Sequence, residues 1–241
     1  MSSRLLSWDC ANKTLAWCDI MIDADAPKKA AGIREEVIKK INNMKPCVED
    51  MIELKDFIND QLAITDKFIK FNYSGVRDIL NSQKVKSVSD IDRVKKLFNF
   101  LDTNEILKND KENIKCLIEK QPQTLNNASS IVSHCLAMYY IKYDPVYINA
   151  KHKNKLAFAP HLQFDNFLQA EINNYKEKNK IEPGVQKIKE LRYKARKKHT
   201  TENLIYLAAV YNLDILKGIP KKELNNLADA VLQALAFIFI K

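Results

Sequence analysis

Glycine occurs only four times in 241 residues, and no glycine-rich linker, low-complexity tract or internal repeat interrupts the chain. Solenoid arrays and flexibly tethered modules are thereby set aside. Cysteine is almost as sparse. Cys10, Cys18, Cys47, Cys116 and Cys135 are odd in number and widely spaced, with no C-x-x-C pair. That pattern excludes a disulfide framework and a thiolate zinc site, and fits reduced, buried thiols in an intracellular protein. Long apolar runs are missing too, since none reaches the roughly 20 residues that a membrane helix needs. The N-terminus lacks the basic, apolar and small-residue succession of a secretory leader, so none is expected. The greasy stretch AVLQALAFIFIK is too short to span a bilayer and follows Asp229; it reads as a core helix.

What is present is apolar material enough for a core. Apolar residues make up 46% of the chain, which excludes global disorder, and the length suits one elaborated domain covering residues 1–241. Lys and Arg number 39 against 30 Asp and Glu, for a net charge of +9. An excess of that sign favours a polyanionic partner such as nucleic acid.

Apolar, β-prone runs at 4–9 and 14–23 flank the polar turn CANK and predict an antiparallel hairpin. Ile33, Val37, Ile41, Met44, Val48, Met51 and Ile52 then recur near helical spacing, broken at Pro46, so residues 32–65 read as a helical insertion. A third strand is expected between Phe68 and Leu80. Ile91, Val94, Leu97, Phe98 and Leu101 predict an amphipathic helix opened by serine and aspartate. NIKCLIE, at 113–119, is a compact strand stopped by Pro122; the helix NASSIVSHCLAMYYIKY and the strand PVYINA follow. Lys221 to Ile240 closes the chain as a helix with Leu224, Leu227, Val231, Leu232 and Leu235 on its apolar face. Strands alternating with helices after a hairpin predict an α/β fold with a mixed sheet. Residues 151–201 are the most basic stretch and read as solvated loop and helix surface.

Within this frame Asp9, Glu119 and Asp229 stand out. The first two lie in or at the end of apolar strand candidates, where an unpaired carboxylate costs several kcal/mol. Carboxylates drawn from distant segments, with no arginine or histidine in the same motifs, are how proteins hold hard divalent cations. Asn225 and Asn226 share a helix face with Asp229. An oxygen-rich pocket of this kind prefers Mg²⁺ or Mn²⁺ to zinc, and a pair of such ions can hydrolyse a phosphodiester. Taken singly, each acid also reads as an ordinary satisfied core or surface residue.

LLSWDCANKTLAWC resembles the opening motif of RuvC-like enzymes with an RNase H-like fold, particularly poxvirus-type Holliday junction resolvases. CLIEKQPQ resembles their second motif, a strand ending in glutamate before Gln-Pro, and ELNNLADAVLQAL resembles their last, an acidic helix with an Ala-Asp-Ala step. The motifs follow in order along nearly the whole chain. The resemblance implies a dimeric, Mg²⁺-dependent endonuclease, with Mn²⁺ able to substitute, that resolves four-way DNA junctions in the reducing cytoplasm of a virus-infected host cell.

By position, Asp9 resembles the carboxylate that bridges both metals, Glu119 the second-strand ligand and Asp229 the helix ligand. The family's fourth acid falls where this chain has Asn226, which can offer a carbonyl oxygen but no charge. Such a residue is natural, engineered or a mark of diminished catalysis, and the sequence leaves these open. Ala11 stands where the family usually has glycine. The resemblance also implies a lysine near the site, for which Lys151 and Lys153 are candidates, with a plain surface role equally open. Lys13, in the opening turn, is a further candidate to meet DNA. His152 and His199 read as exposed histidines, and Trp8, Trp17, Tyr139 and Tyr140 as core or dimer-interface residues. A junction-resolving endonuclease leads these readings. A weakened module that binds branched DNA without efficient cleavage follows, and a purely structural helical protein comes third.

Overall fold

The computed structural model describes residues 2–11, 13–42, 57, 60, 64–65, 67–105, 107, 114–121, 127–149, 164–210, 216 and 218–240. Its sheet begins with β1 (Ser2–Cys10) and β2 (Thr14–Asp23), paired antiparallel from Ser2 opposite Asp23 to Cys10 opposite Leu15. Leu5, Leu6, Trp8, Leu15, Ala16, Cys18 and Ile20 are all fully buried. A strand covered on both faces needs apolar residues at successive positions, which is why this hairpin reads as an almost continuous hydrophobic run. One polar pair crosses it: Arg4 Nε donates to Asp19 Oδ1 at 2.9 Å and Nη2 to Oδ2 at 3.0 Å. Paired in this bidentate way, the two charges tolerate burial that neither tolerates alone.

β3 (Ile69–Asp78) pairs antiparallel with β2, and β4 (Ile114–Glu119) lies parallel to β1 on its other side. β5 (Val146–Ile148) is parallel to β4, giving the order β3-β2-β1-β4-β5. The hairpin, the third strand, the strand ending at Glu119 and the strand in PVYINA all stand where the sequence predicts them. The fold is α/β, with a mixed five-stranded sheet flanked by helices.

α1 (Ala26–Asn42) starts six residues before the expected insertion boundary. Pro27 suits that start, because the first turn of a helix has no intrahelical use for the N–H that proline lacks. Within the expected 32–65 segment, only 32–42, 57, 60 and 64–65 are among the described residues. Pro46 and the apolar positions Met44, Val48, Met51 and Ile52 lie outside them.

α2 (Asp90–Thr103) is capped by Ser89, whose hydroxyl accepts from the Asp92 N–H at 3.1 Å. Its buried residues are Arg93, Leu97 and Leu101, whereas Ile91, expected on the apolar stripe, is 69% exposed. Arg93 takes the inward place in the first turn because its head is paired, with Nη1 on Asp90 Oδ1 at 2.8 Å and Nη2 on the Val85 carbonyl at 3.2 Å.

α3 (Asn127–Tyr139) joins α2 over one face of the sheet, closing a core around Leu6, Trp8, Cys116, Ile118, Leu136 and Tyr140. Trp8 and Tyr140 are fully buried, with ring centroids 6.0 Å apart, and Trp17 and Tyr139 are half-buried beside them. These aromatic residues therefore belong to the core. α4 (Phe164–Asn179) packs on α5 (Val185–Val210), and α5 on the last helix, α6 (Leu224–Ile240). α6 lies across β1 and β2 on the other face, where Leu227, Val231, Leu232 and Leu235 meet Leu5, Ala16, Cys18 and Ile20. Each large aliphatic side chain so buried contributes about 1.5–3 kcal/mol. Among the described residues no helix is long and apolar enough to cross a membrane.

Candidate active site

The last paired rung between the parallel strands β1 and β4 is Trp8 with Ile118. Asp9 and Glu119 are the next residue on each strand. Parallel strands end at the same edge, so two motifs separated by more than a hundred residues of sequence deliver neighbouring carboxylates there. Asp9 is 7% exposed and Glu119 is half-buried.

α6 brings the third acid. Gln233 Nε2 donates to the Trp8 carbonyl at 3.3 Å, a buried hydrogen bond that ties the helix to β1 one residue before Asp9. Asp229 lies one turn earlier on the same face. Asp9, Glu119 and Asp229 line a single cleft of about 320 Å³, together with Cys10, Ala11, Asn225 and Asn226. The sequence-predicted acids and the two amides are thus brought together.

The amides are already engaged. Asn225 Nδ2 lies 3.4 Å from Asp229 Oδ2, and Asn226 Nδ2 donates to Glu223 Oε2 at 2.8 Å. A carboxylate partner fixes the orientation of the Asn226 amide, because only its NH₂ end can donate. Asn225 Oδ1 is buried with no hydrogen-bond partner among the described residues. Burial drives the Cys10 thiol pKa well above its usual value, and the charges of Asp9 and Glu119 push it further up.

Its opposite wall escaped the sequence reading. Tyr193, Arg196, Lys197 and Thr200 of α5 line the same cleft. Their spacing of three, four and seven residues defines one helix face. Lys197 Nζ stands 5.1 Å from the centre of the Tyr193 ring, and Thr200 Oγ1 donates to the Arg196 carbonyl at 2.8 Å. The spacing is visible in KELRYKARKKHT, but the same stretch offers other lysines at similar intervals, so only packing selects the face. His199, expected exposed, is 4% exposed and belongs to the buried side of α5 with Leu191 and Ala195. Asn203 Nδ2 donates to its carbonyl at 3.0 Å. Lysine-rich flanks made His199 look solvated, but the helix turns it inward.

Lys13 does not line the cleft; its Nζ pairs with Asp78 Oδ2 at 3.1 Å. Lys151, His152 and Lys153 lie outside the described residues. Among the described residues, no group of three or more His, Cys, Asp or Glu side chains stands close enough to hold a metal ion as placed. The donor chemistry nevertheless fits a hard divalent cation. Among the described lining residues, Asp9, Glu119 and Asp229 offer carboxylate oxygens, Asn225 and Asn226 offer amide oxygens, and Asn225 Oδ1 is buried with no hydrogen-bond partner there. No family model, curated protein or solved structure matches the chain.

Proposed function

We propose that the chain is a metal-dependent, structure-selective endonuclease with an RNase H-like fold, cutting four-way DNA junctions. The observation that carries this reading is the meeting of Asp9, Glu119 and Asp229, from β1, β4 and α6, in one cleft. The sheet supports it: opening antiparallel strands followed by parallel ones, flanked by helices, are the arrangement that the resemblance implies. A bound Mg²⁺ or Mn²⁺ supplies charge stabilisation for phosphodiester hydrolysis. Asp9, the most buried of the acids, and Glu119 would hold it from the strand ends, and Asp229 from the helix. The Gln233 bond to the Trp8 carbonyl keeps helix and strand in register, so the carboxylates are positioned before substrate arrives. Arg196 and Lys197 attract the backbone from the far wall. A four-way junction presents two equivalent strands, and a two-fold dimer supplies a site for each.

A second reading, a module that binds branched DNA and cuts it poorly, is favoured by Asn226, whose neutral amide is engaged by Glu223. One assay separates the two. The protein, Asp9→Asn and Asn226→Asp are compared on four-way, flap and linear DNA with Mg²⁺ and with Mn²⁺. The leading reading expects four-way cleavage that falls about 10²–10³-fold or more in Asp9→Asn while binding survives. Cleavage by Asn226→Asp alone selects the second. If neither the protein nor Asn226→Asp cuts any DNA, the nuclease reading fails.

A further inference from the structure

A second concave site stands at the same sheet edge as Asp9, on the other face. Strand register places Cys10 of β1, Leu15 of β2 and Arg77 of β3 in one row across the sheet. Neighbouring strands lie about 4.8 Å apart, so the Arg77 backbone is about 10 Å from that of Cys10, the residue after Asp9. Side chains of one row share a face, and Cys10 and Leu15 belong to the core beneath α2 and α3, so Arg77 stands on that side. There Lys96, Asn99 and Phe100, on one face of α2, meet Arg77, Ile79 and Asn81 around a cavity of about 110 Å³.

The floor of this cavity is apolar and fixed: Ile79 is buried, and the Phe100 ring packs against Trp17 at 5.5 Å. One wall is a turn held by Asp78, which accepts from the N–H groups of Leu80 and Ser82 at 2.9 and 3.0 Å and sets Asn81 in the left-handed region, φ 51°. Lys96 is half-buried and Arg77 exposed, and side chains of this kind lay their stems on such a floor and keep their charged heads in water. Among the described residues no ion pair engages either. The volume falls well below the roughly 300 Å³ at which pockets for drug-sized ligands begin, so the cavity suits one small group. Two cations beside two side-chain amides select an anion with several acceptor oxygens, and a guanidinium fork matches two oxygens of a phosphate. Resting on the nuclease reading for the identity of the polymer, we propose that Arg77 and Lys96, with the amides of Asn81 and Asn99, hold one phosphate of the DNA backbone outside the catalytic cleft. This grip anchors bound DNA beside Asp9, needs no metal and reads no base.

Junction binding by the full chain in EDTA, across a salt series, compares the protein with the double variant Arg77→Met, Lys96→Met and with the charge-conserving pair Arg77→Lys, Lys96→Arg. Loss of one phosphate contact is expected to make the slope of log K against log salt shallower by about 0.9 in the first variant, on four-way and linear DNA alike, and to leave it unchanged in the second. Among junctions that each carry one neutral methylphosphonate, one position away from the scissile phosphate is expected to weaken binding to the protein but not to the methionine variant. An unchanged slope in the methionine variant, an equal loss in the charge-conserving pair, or no such position overturns the inference. Binding of inorganic phosphate that the methionine variant loses, with the DNA slope unchanged, assigns the cavity to a free anion and also overturns it. A chain that cuts no DNA with any metal but shows the change of slope defeats the nuclease reading and keeps this one. A chain that cuts junctions with equal slopes does the reverse, and a chain that binds no DNA defeats both.

Discussion

Asn226 shows how one side chain sets the chemistry of its surroundings. Held by Glu223 at 2.8 Å, it leaves its carbonyl oxygen facing away from that carboxylate, a neutral donor where the resemblance implies an acid. Asp78 is a second instance. Burial raises its pKa, but the Lys13 ammonium at 3.1 Å and the N–H groups of Leu80 and Ser82 at 2.9 and 3.0 Å outweigh it, and the net pKa lies below the usual aspartate value. A carboxyl depressed in the folded state stabilises above its unfolded pKa and loses that contribution as pH falls through the folded value. Asp78→Asn is therefore expected to cost about 1 kcal/mol near neutrality, after allowance for the partial exposure of the pair. The difference from the unmodified protein should narrow as the pH drops below the ordinary aspartate range, as read by urea unfolding at several pH values. Cys10 carries the opposite sign: burial first, then the charges of Asp9 and Glu119, hold its thiol protonated. Under native conditions a thiol-alkylating reagent should leave Cys10 and the buried Cys116 unmodified at a pH where it labels both in denaturant; native labelling of Cys10 contradicts this.

At the level of elements, the sheet depends on one glycine and the helices on which face they present. Gly75 of β3 lies opposite Trp17 of β2, and a Cβ at that position would come within 2.4 Å of the Trp17 ring. Trp17 cannot simply yield, since its ring also packs against Trp8 at 6.0 Å and Phe100 at 5.5 Å. Gly75→Ala is expected to cost about 1–3 kcal/mol by overpacking, with Trp fluorescence altered in the folded state; an unchanged melting temperature would count against the assigned register of β2 and β3. The helices show where periodicity misleads. In α2 the burial of Arg93 and exposure of Ile91 reverse the hydrophobic expectation, because a paired guanidinium with a long apolar stem fills the inward place. In α5, lysines on every side blur the period, and the face that lines the cleft is set by the Leu191, Ala195 and His199 strip on the opposite side.

At the scale of the whole molecule, two parallel strands and one crossing helix turn three remote motifs into a single acidic cleft with a basic wall. The chain as a whole carries a net charge of +9. Binding to four-way DNA is expected to weaken steeply between 50 and 200 mM salt, by about 10³-fold or more if six or more phosphates are contacted. If the function requires paired cuts, sedimentation should find a dimer in the protein that cuts; cleavage by a strict monomer would remove the symmetry argument while leaving the site intact.

The strands were legible from the amino-acid order because burial on both faces demands unbroken apolar runs, which turns and prolines then delimit. The acids Asp9, Glu119 and Asp229 were legible for a related reason, since a carboxylate beside such a run conflicts with its surroundings and draws notice. The sequence by itself thus determined the sheet's strands, the charge excess and the three acids. Only the tertiary structure decided that Glu119 stands beside Asp9, that Arg196 and Lys197 face them, that Asn226 is held by Glu223, and that Lys13 turns to Asp78. Those outcomes rest on strand order, helix rotation and side-chain pairing between segments far apart in the chain, which local periodicity does not encode.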